Sequence, residues 1–226
     1  MSSGVAPLTR GQLALEAGER LKRGHGFKPD VLLVTSPGGR VIVKDYAGRG
    51  SWVRTWFAPW LVRRELRVFR ALEPVEAVPR ALGAIDSLAL ALEFRPGEPL
   101  SRALAARMGG EAVARFLADL ERDVSAMHER GVVHLDLRHR DNVLWGVDSR
   151  PVLVDFAGAM SFRPGSFWYR WYRPTVLVYD ERALAKWRER LRPGAPASRR
   201  TLRRRMRAWV RRRASSRASG SPDRMG

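Results

Sequence analysis

One polar segment between short apolar runs, residues 132–158, constrains the fold of this 226-residue chain more than any other feature. The runs Val132-Val133 and Val143-Leu144-Trp145 flank it, and after a tight turn a third apolar run ends in Asp155. The polar residues between the first two runs include His134, Asp136, Arg138, Asp141 and Asn142. The pattern predicts a strand, a polar loop, a second strand, a turn and a third strand that ends at the acidic residue Asp155. Such a frame brings hard oxygen ligands together, as a divalent metal that also binds nucleotide phosphates requires.

Composition excludes several other chemistries. The chain has no cysteine, which excludes disulfides, a thiol nucleophile and cysteine-ligated zinc, and its four histidines have no zinc-binding spacing. No apolar run approaches the roughly 20 residues of a membrane span. The N-terminus also lacks the basic and then apolar pattern of a signal peptide. We therefore expect a cytoplasmic protein, with peripheral contact to the inner membrane left open.

The net charge of +19 is concentrated near the C-terminus. Residues 186–226 carry fifteen basic residues and two acidic ones, so +13 of the total lies there, and an anionic partner is expected. A helix predicted over 199–213 has an apolar side and arginines elsewhere, which suits an anionic membrane surface. A solvated tail or a nonspecific nucleic-acid binder is the alternative, and no specific nucleic-acid partner is predicted. Residues 214–226 are predicted to be disordered.

The N-terminal half predicts a lysine and a glutamate that meet. Residues 30–35 and 40–46 read as a β-hairpin, and Lys44 lies on its second strand. A helix is predicted from Pro59, and its apolar face includes Glu65. A lone carboxylate on an apolar face is costly and calls for a cationic partner, for which Lys44 is the natural candidate. The alternative is that Glu65 lies at a solvated edge of the face.

The remaining pattern is mostly helical. A short helix is predicted over residues 13–21, a buried strand over 87–94 and a connector with hinge character over 95–99. Further helices are predicted over residues 101–108, 111–130 and 180–191. A stripe of tryptophans, Trp52, Trp56 and Trp60, recurs every four residues. We interpret it as packing in the core or between two lobes, with contact to a membrane interface as the alternative.

With these parts in place, the chain resembles the protein-kinase-like superfamily over about residues 28–160. The matching segments are Val41-Ile42-Val43-Lys44, Glu65, Glu93-Phe94-Arg95, His134 through Asn142, and Asp155-Phe156-Ala157-Gly158. Each segment alone is weak evidence, whereas their order and spacing together are specific. The resemblance is strongest to the small bacterial lipopolysaccharide-core kinases, which act on Kdo or heptose, and to their short relatives.

The resemblance implies that the chain binds ATP. Lys44, oriented by Glu65, would hold the α- and β-phosphates. Glu93, Phe94 and Arg95 would form the hinge that binds the nucleotide. The family's glycine-rich loop is missing here. Backbone between residues 24 and 31 would cover the phosphates instead, and the alternative is that they are covered poorly.

The resemblance also assigns the catalytic and metal-binding residues. Asp136 would accept the proton of the attacking hydroxyl, and Arg138 would contact the γ-phosphate. Asp155 would bind Mg²⁺ and Asn142 a second Mg²⁺. Relative to the family, Asn142 stands one position late, so Asp141 is the alternative ligand. The resemblance gives His134 a supporting role for the loop backbone.

The implied fold class is α+β, a two-lobed protein-kinase-like fold with a small antiparallel-sheet N-lobe and a reduced helical C-lobe. Its predicted parts are an N-terminal arm (1–23), the N-lobe (24–95), the C-lobe (96–192), and a basic helix with its disordered tail (193–226). The segment after Asp155 is short and has no Ala-Pro-Glu motif, which argues against a conventional regulated protein kinase.

The implied function is an ATP- and magnesium-dependent phosphotransferase, a kinase that acts on an alcohol. The resemblance suggests a sugar of the lipopolysaccharide core, part of a glycolipid, as the acceptor. One alternative is a minimal, RIO-like kinase that phosphorylates protein serine or threonine. The other is a pseudokinase-like module that binds membrane or nucleic acid.

Overall fold

The chain is a mixed α+β structure with an antiparallel sheet, as the sequence predicts. The computed structural model describes residues 8–15, 18–36, 38–163 and 165–192. The described residues up to Leu191 belong to one compact unit. The helix predicted over 199–213 and the tail after it lie outside the described residues.

A five-stranded antiparallel sheet forms the first half of this unit, with the strand order β1-β2-β3-β5-β4. Its strands are β1 (Glu19–Lys22), β2 (Asp30–Ser36), β3 (Gly39–Asp45), β4 (Ala81–Ala84) and β5 (Ala89–Glu93). The hairpin predicted from the sequence is confirmed as β2 and β3. The alternation along β3 buries Val41 and Val43, while Lys44 is also buried and lies opposite Val31 of β2.

The N-terminal segment differs from its prediction. Helix α1 spans only Arg10–Leu15, and residues 19–22 form strand β1, although residues 19–21 are predicted as the end of a helix. All four residues of β1 are exposed, so no alternation of apolar and polar residues marks this strand in the sequence. Its backbone pairing with β2 at the sheet edge decides its conformation. Arg10 anchors α1 through ion pairs with Asp45 at 2.7 Å and Asp86 at 2.6 Å.

Helix α2 (Ala58–Ala71) contains the helix predicted from Pro59. A π-helical turn, Val53–Phe57, precedes α2. Pro59 lies in the first turn of α2, where a backbone N–H has no acceptor within the helix. The apolar stripe of α2 is buried in the core. Its buried members are Ala58, Val62, Leu66, Val68 and Phe69.

The interpretation of the tryptophan stripe as core packing is wrong. Trp52, Trp56 and Trp60 do share one side of the helical segment, but all three are exposed. Periodicity places residues on a common side without saying which side faces the core. In this segment the aliphatic stripe of α2 occupies the core, and the tryptophans lie on the opposite side.

The second half begins with a small sheet and two helices. Strands β6 (Gly97–Pro99), β8 (Val143–Gly146) and β9 (Pro151–Leu153) form a three-stranded sheet in the order β6-β8-β9. Helices α3 (Arg102–Met108) and α4 (Gly110–Glu129) confirm the two helices predicted for this region. Residues 94–96 therefore connect the five-stranded sheet to the three-stranded one.

A two-stranded pair and a long helix complete the unit. Strand β7 (Val132–Val133) pairs with β10 (Met160–Ser161), and helix α5 spans Phe167–Leu191. The helix begins well before the predicted start at residue 180. The residues before Asp180 have no one-sided apolar pattern, so periodicity gave no signal for this part of the helix. Among the described residues, no helix has the length and apolar character that a membrane crossing requires.

Candidate active site

A buried lysine lies between two carboxylates at the centre of the unit. Lys44 Nζ is 2.5 Å from Glu65 Oε1 and 3.1 Å from Asp155 Oδ1. Strand β3 supplies the lysine, α2 the glutamate, and the segment after β9 the aspartate. The predicted ion pair of Lys44 with Glu65 is therefore confirmed, and the alternative of a solvated Glu65 is wrong. The side chain of Glu65 is 2% exposed, whereas that of Asp155 is 41% exposed.

Two members of this cluster, Lys44 and Asp155, favour each other's charged form. Burial alone would lower the pKa of Lys44, but the carboxylates of Glu65 and Asp155 outweigh burial and raise it above its usual value. The positive charge of Lys44 holds the pKa of Asp155 below its usual value, against the effect of burial. Burial, with the nearby Glu65 carboxylate, raises the pKa of Tyr46 to about 12. The cluster thus presents a fixed cation and an accessible carboxylate side by side.

Contacts with helix α2 hold the backbone that follows Asp155. Asp155 has φ 66° and ψ 64°, a left-handed conformation that aspartate tolerates better than most residues. Phe156 is fully buried and packs edge-on against Phe69 of α2, with ring centroids 5.2 Å apart. Arg64, next to Glu65 in the sequence, donates hydrogen bonds to the carbonyl oxygens of Ala157, at 2.7 Å, and Ala159. Helix α2 therefore positions both Lys44 and the segment that carries Asp155.

The polar loop between β7 and β8 brings Asn142 to Asp136. Asn142 Nδ2 donates to Asp136 Oδ2 at 2.9 Å and to the Asp136 carbonyl at 3.0 Å. The Asn142 carbonyl accepts a hydrogen bond from the Val154 N–H at 3.1 Å, so the loop is tied to the residue before Asp155. Asn142 is buried, whereas Asp136 and Arg138 are exposed.

Asp141, the alternative metal ligand, lies away from this arrangement. Its side chain is 60% exposed and pairs with Arg140 Nε at 3.2 Å. A short 3₁₀ turn, Arg140–Asn142, ends the loop, with Asn142 buried and Asp141 exposed. This geometry favours Asn142 over Asp141 as the residue that acts with Asp136.

His134 supports the loop backbone, as the sequence predicts. Its Nε2 lies 3.0 Å from the Val154 carbonyl, and its Nδ1 lies 3.4 Å from the Asp136 N–H, which can donate to it. The ring is fully buried and packs against Phe156 with centroids 4.6 Å apart. Burial lowers the pKa of His134, which favours the neutral ring that can donate at one nitrogen and accept at the other.

Asp180 on α5 is a positioning residue that sequence reasoning missed. It is fully buried and accepts hydrogen bonds from the N–H groups of His134 at 2.8 Å and Leu135 at 2.9 Å. Its Oδ2 also lies 3.0 Å from His128 Nε2. Leu135 has φ 67°, an unusual conformation for leucine, and the Asp180 carboxylate holds it. The signal available in the sequence was an acid within a helical segment, without an obvious partner.

The predicted hinge residues use their side chains within the protein. Glu93 Oε2 accepts from the Arg80 N–H at 3.0 Å and from Arg95 Nε at 3.2 Å. The ring of Phe94 lies under the guanidinium of Arg40, 4.5 Å from its centroid. The side chains of all three residues therefore already contact other groups of the protein.

The loop over residues 23–29 joins β1 and β2 at the edge nearest Lys44. Across neighbouring strands, Lys22 pairs with Val31 and Val31 with Lys44, and the charge of Lys22 contributes to the low pKa of Asp155. Gly24 is required by close approach, since a Cβ there would lie 2.3 Å from the Lys28 carbonyl. Strand β1 thus adds a second cation, Lys22, that sequence reasoning missed.

The donor set fits Mg²⁺ bound together with phosphate. Asp155 offers an accessible carboxylate, and Asn142, whose amide nitrogen faces Asp136, has its amide oxygen on the other side. In the described part of the chain, no three His, Cys, Asp or Glu side chains form a metal site by themselves. Mg²⁺ in nucleotide sites is typically held by one or two protein oxygens, with phosphate and water completing the shell. Asp155 and Asn142 are residues of that kind.

A scan against protein-family models found no match for this chain, and a search of curated proteins found no similar sequence.

Proposed function

We propose that this protein is an ATP- and magnesium-dependent phosphotransferase with a two-lobed protein-kinase-like fold. In this proposal the five-stranded sheet with α2 forms the N-lobe, and α3 to α5 with the small sheets form the C-lobe. The observation that carries it is Lys44 held between Glu65 and Asp155. A buried ammonium with one fixed carboxylate partner and one accessible carboxylate is what a nucleotide phosphate needs beside a metal site.

The charged residues act mainly by positioning. Glu65 fixes Lys44 so that its ammonium can bind the α- and β-phosphate oxygens of ATP. Because the ammonium is already in place, little reorganisation is needed when phosphate arrives. Lys22, on β1, adds positive charge near Asp155. Mg²⁺ held by Asp155 and Asn142 would neutralise negative charge on the phosphate oxygens when it is bound.

The loop residues serve the acceptor. Asp136 is exposed and can accept the proton of an alcohol, while its hydrogen bonds from Asn142 fix its orientation. The acceptor oxygen then bonds to the γ-phosphorus as the bond from that phosphorus to the β–γ bridging oxygen breaks, and ADP leaves. Arg138, exposed on the same loop, can contact the γ-phosphate.

The resemblance makes a sugar hydroxyl of the lipopolysaccharide core the first acceptor to test. A serine or threonine hydroxyl of a protein is the second. The presence of Lys44, Glu65, Asp136 and Asp155 in one arrangement argues against a pseudokinase, because phosphate chemistry uses all four. The hinge contacts expected of Glu93, Phe94 and Arg95 would be made by their backbone.

The test is transfer of label from γ-labelled ATP to glycolipid and protein fractions, with wild-type protein and the Asp136→Asn variant. Loss of a general base typically costs about 10²–10⁴ in rate, so Asp136→Asn should lose transfer by at least about a hundredfold while ATP still binds. Asp148→Asn, an exposed turn residue, is the matched control. Equal transfer by wild type and Asp136→Asn would contradict the proposal. The labelled fraction identifies the acceptor class.

A further inference from the structure

Large exposed aromatic side chains line the outer side of the π-helical turn and α2. Trp52, Trp56 and Trp60 are 59%, 69% and 53% exposed. Phe27, from the loop between β1 and β2, is 51% exposed and packs edge-on against Trp52 with centroids 6.3 Å apart. A contiguous patch of this kind marks an interaction site, unlike single exposed apolar residues.

The same side of α2 continues as a row of arginines. Arg63, Arg67 and Arg70 follow Trp60 at helical spacings of three and four residues, and all three are exposed. They have no ion-pair partner among the described residues. We call the following set the aromatic–arginine face: Trp52, Trp56, Trp60, Arg63, Arg67 and Arg70.

The face carries almost pure positive charge. Residues 52–72 contain five arginines and a single carboxylate, Glu65, which is buried and paired with Lys44. Arginines on the surface of α3 and α4 differ, because Arg107, Arg115 and Arg122 have carboxylate partners within 4 Å: Glu98 at 2.5 Å, Glu111 at 3.7 Å and Asp119 at 2.8 Å. The unbalanced charge of the face calls for an anionic partner.

We propose that the aromatic–arginine face docks on the surface of an anionic phospholipid bilayer. Tryptophan favours the boundary between headgroups and acyl chains, and arginine binds headgroup phosphates. The face is the convex outer side of a helix, a shape that fits the broad surface of a bilayer. A single nucleic-acid strand is bound instead in a groove that follows its backbone. The inference does not depend on phosphotransferase activity or on the basic segment after residue 192.

The docking would bring the bilayer close to the candidate active site. Helix α2 presents the aromatic–arginine face on one side and Glu65 on the other. An α-helix with its side chains is about 10–12 Å in diameter, so the cluster around Lys44 would lie roughly that far from the headgroups.

The test is cosedimentation of the full-length protein with phosphatidylcholine vesicles that contain about a third phosphatidylglycerol, a strongly anionic surface. Trp52→Ser/Trp56→Ser/Trp60→Ser should weaken binding at least tenfold. A basic residue near such a surface is worth about 1 kcal/mol, so Arg63→Gln/Arg67→Gln/Arg70→Gln should weaken binding roughly a hundredfold. The control Arg107→Gln/Arg115→Gln/Arg122→Gln removes the same charge and should change binding much less.

Three results would overturn the proposal. The first is binding by the tryptophan variant equal to wild type. The second is equal loss in the two arginine variants, which would mean that net charge alone, including that of the C-terminal segment, drives binding. The third is that the tryptophan and arginine variants lose binding to an oligonucleotide but bind the vesicles as the wild type does. Because Trp52 packs against Phe57, the variant Trp56→Ser/Trp60→Ser keeps that contact and replaces the triple variant if circular dichroism shows that the latter is unfolded.

Discussion

Replacing Lys44 by methionine should destabilise the fold through Glu65 rather than through Asp155. The substitution leaves the Glu65 carboxylate, 2% exposed, without the ammonium that now lies 2.5 Å away. Removing one partner of a buried ion pair typically costs about 3–5 kcal/mol. Asp155 adds little, since its 41% exposed side chain can be solvated and exposed pairs contribute about 0–1 kcal/mol. We therefore expect the free energy of unfolding to fall by about 3–5 kcal/mol.

Removing both charges should restore most of the loss. Lys44→Met/Glu65→Leu leaves no buried unpaired charge, and such replacements are often close to neutral. Glu65→Leu alone should cost less than Lys44→Met, because Lys44 keeps Asp155 at 3.1 Å. The assay is urea unfolding followed by circular dichroism for all four proteins, with the exposed Lys28→Met as control. A cost near zero for Lys44→Met, or additive costs in the double variant, would refute the reasoning.

The pH dependence of Lys44→Met provides a second check on the same variant. Without Lys44, the Glu65 carboxylate is buried with no cationic partner, so taking up a proton in the folded state removes an unpaired buried charge. The folded state then binds the proton more tightly, so the stability of Lys44→Met should recover as the pH falls from 8 towards 5. Glu65→Leu/Lys44→Met should show no such recovery. Parallel pH profiles for the single and double variants would contradict a buried unpaired carboxylate.

Three further predictions concern the loop. Asp180→Ala leaves the backbone N–H groups of His134 and Leu135 without their acceptor, so the free energy of unfolding should fall by at least about 2 kcal/mol in urea unfolding. Because the pKa of His134 is lowered in the folded state, its contribution to the free energy of unfolding is present above about pH 6.5 and is lost as the pH falls. His134→Gln should reduce this decrease in stability, whereas His139→Gln, at an exposed position, should not. Asn142→Ala should lose phosphotransfer at least tenfold more than Asp141→Ala, and equal losses would refute the assignment of Asn142.

The ion pair between Lys44 and Glu65 was predictable because the residue patterns of one strand and one helix are enough to indicate it. Glu65 falls on an apolar helix face, where burial of a lone carboxylate is unfavourable, and Lys44 ends an apolar strand run. Asp180 was not predictable, because its partners are backbone N–H groups of His134 and Leu135, distant in sequence. Only the packing of α5 against the loop brings these groups together.

Two predictions, one of secondary structure and one of burial, were wrong for related reasons. The strand β1 (Glu19–Lys22) has no apolar alternation, so only its pairing with β2 reveals it. The tryptophan stripe has clear periodicity, but its orientation is set by competition with the aliphatic stripe of α2 for the core. Where one pattern dominated, as in α4 (Gly110–Glu129), sequence and structure agree.

The central claim is that the cluster around Lys44 is a metal-dependent nucleotide site. Isothermal titration calorimetry with a non-hydrolysable ATP analogue, with Mg²⁺ and with chelator, measures this directly for wild type and Asp155→Asn. We predict magnesium-dependent binding by the wild type and at least a tenfold loss in Asp155→Asn, with circular dichroism unchanged. Binding of equal affinity in the two proteins, or binding unaffected by Mg²⁺, would contradict the claim.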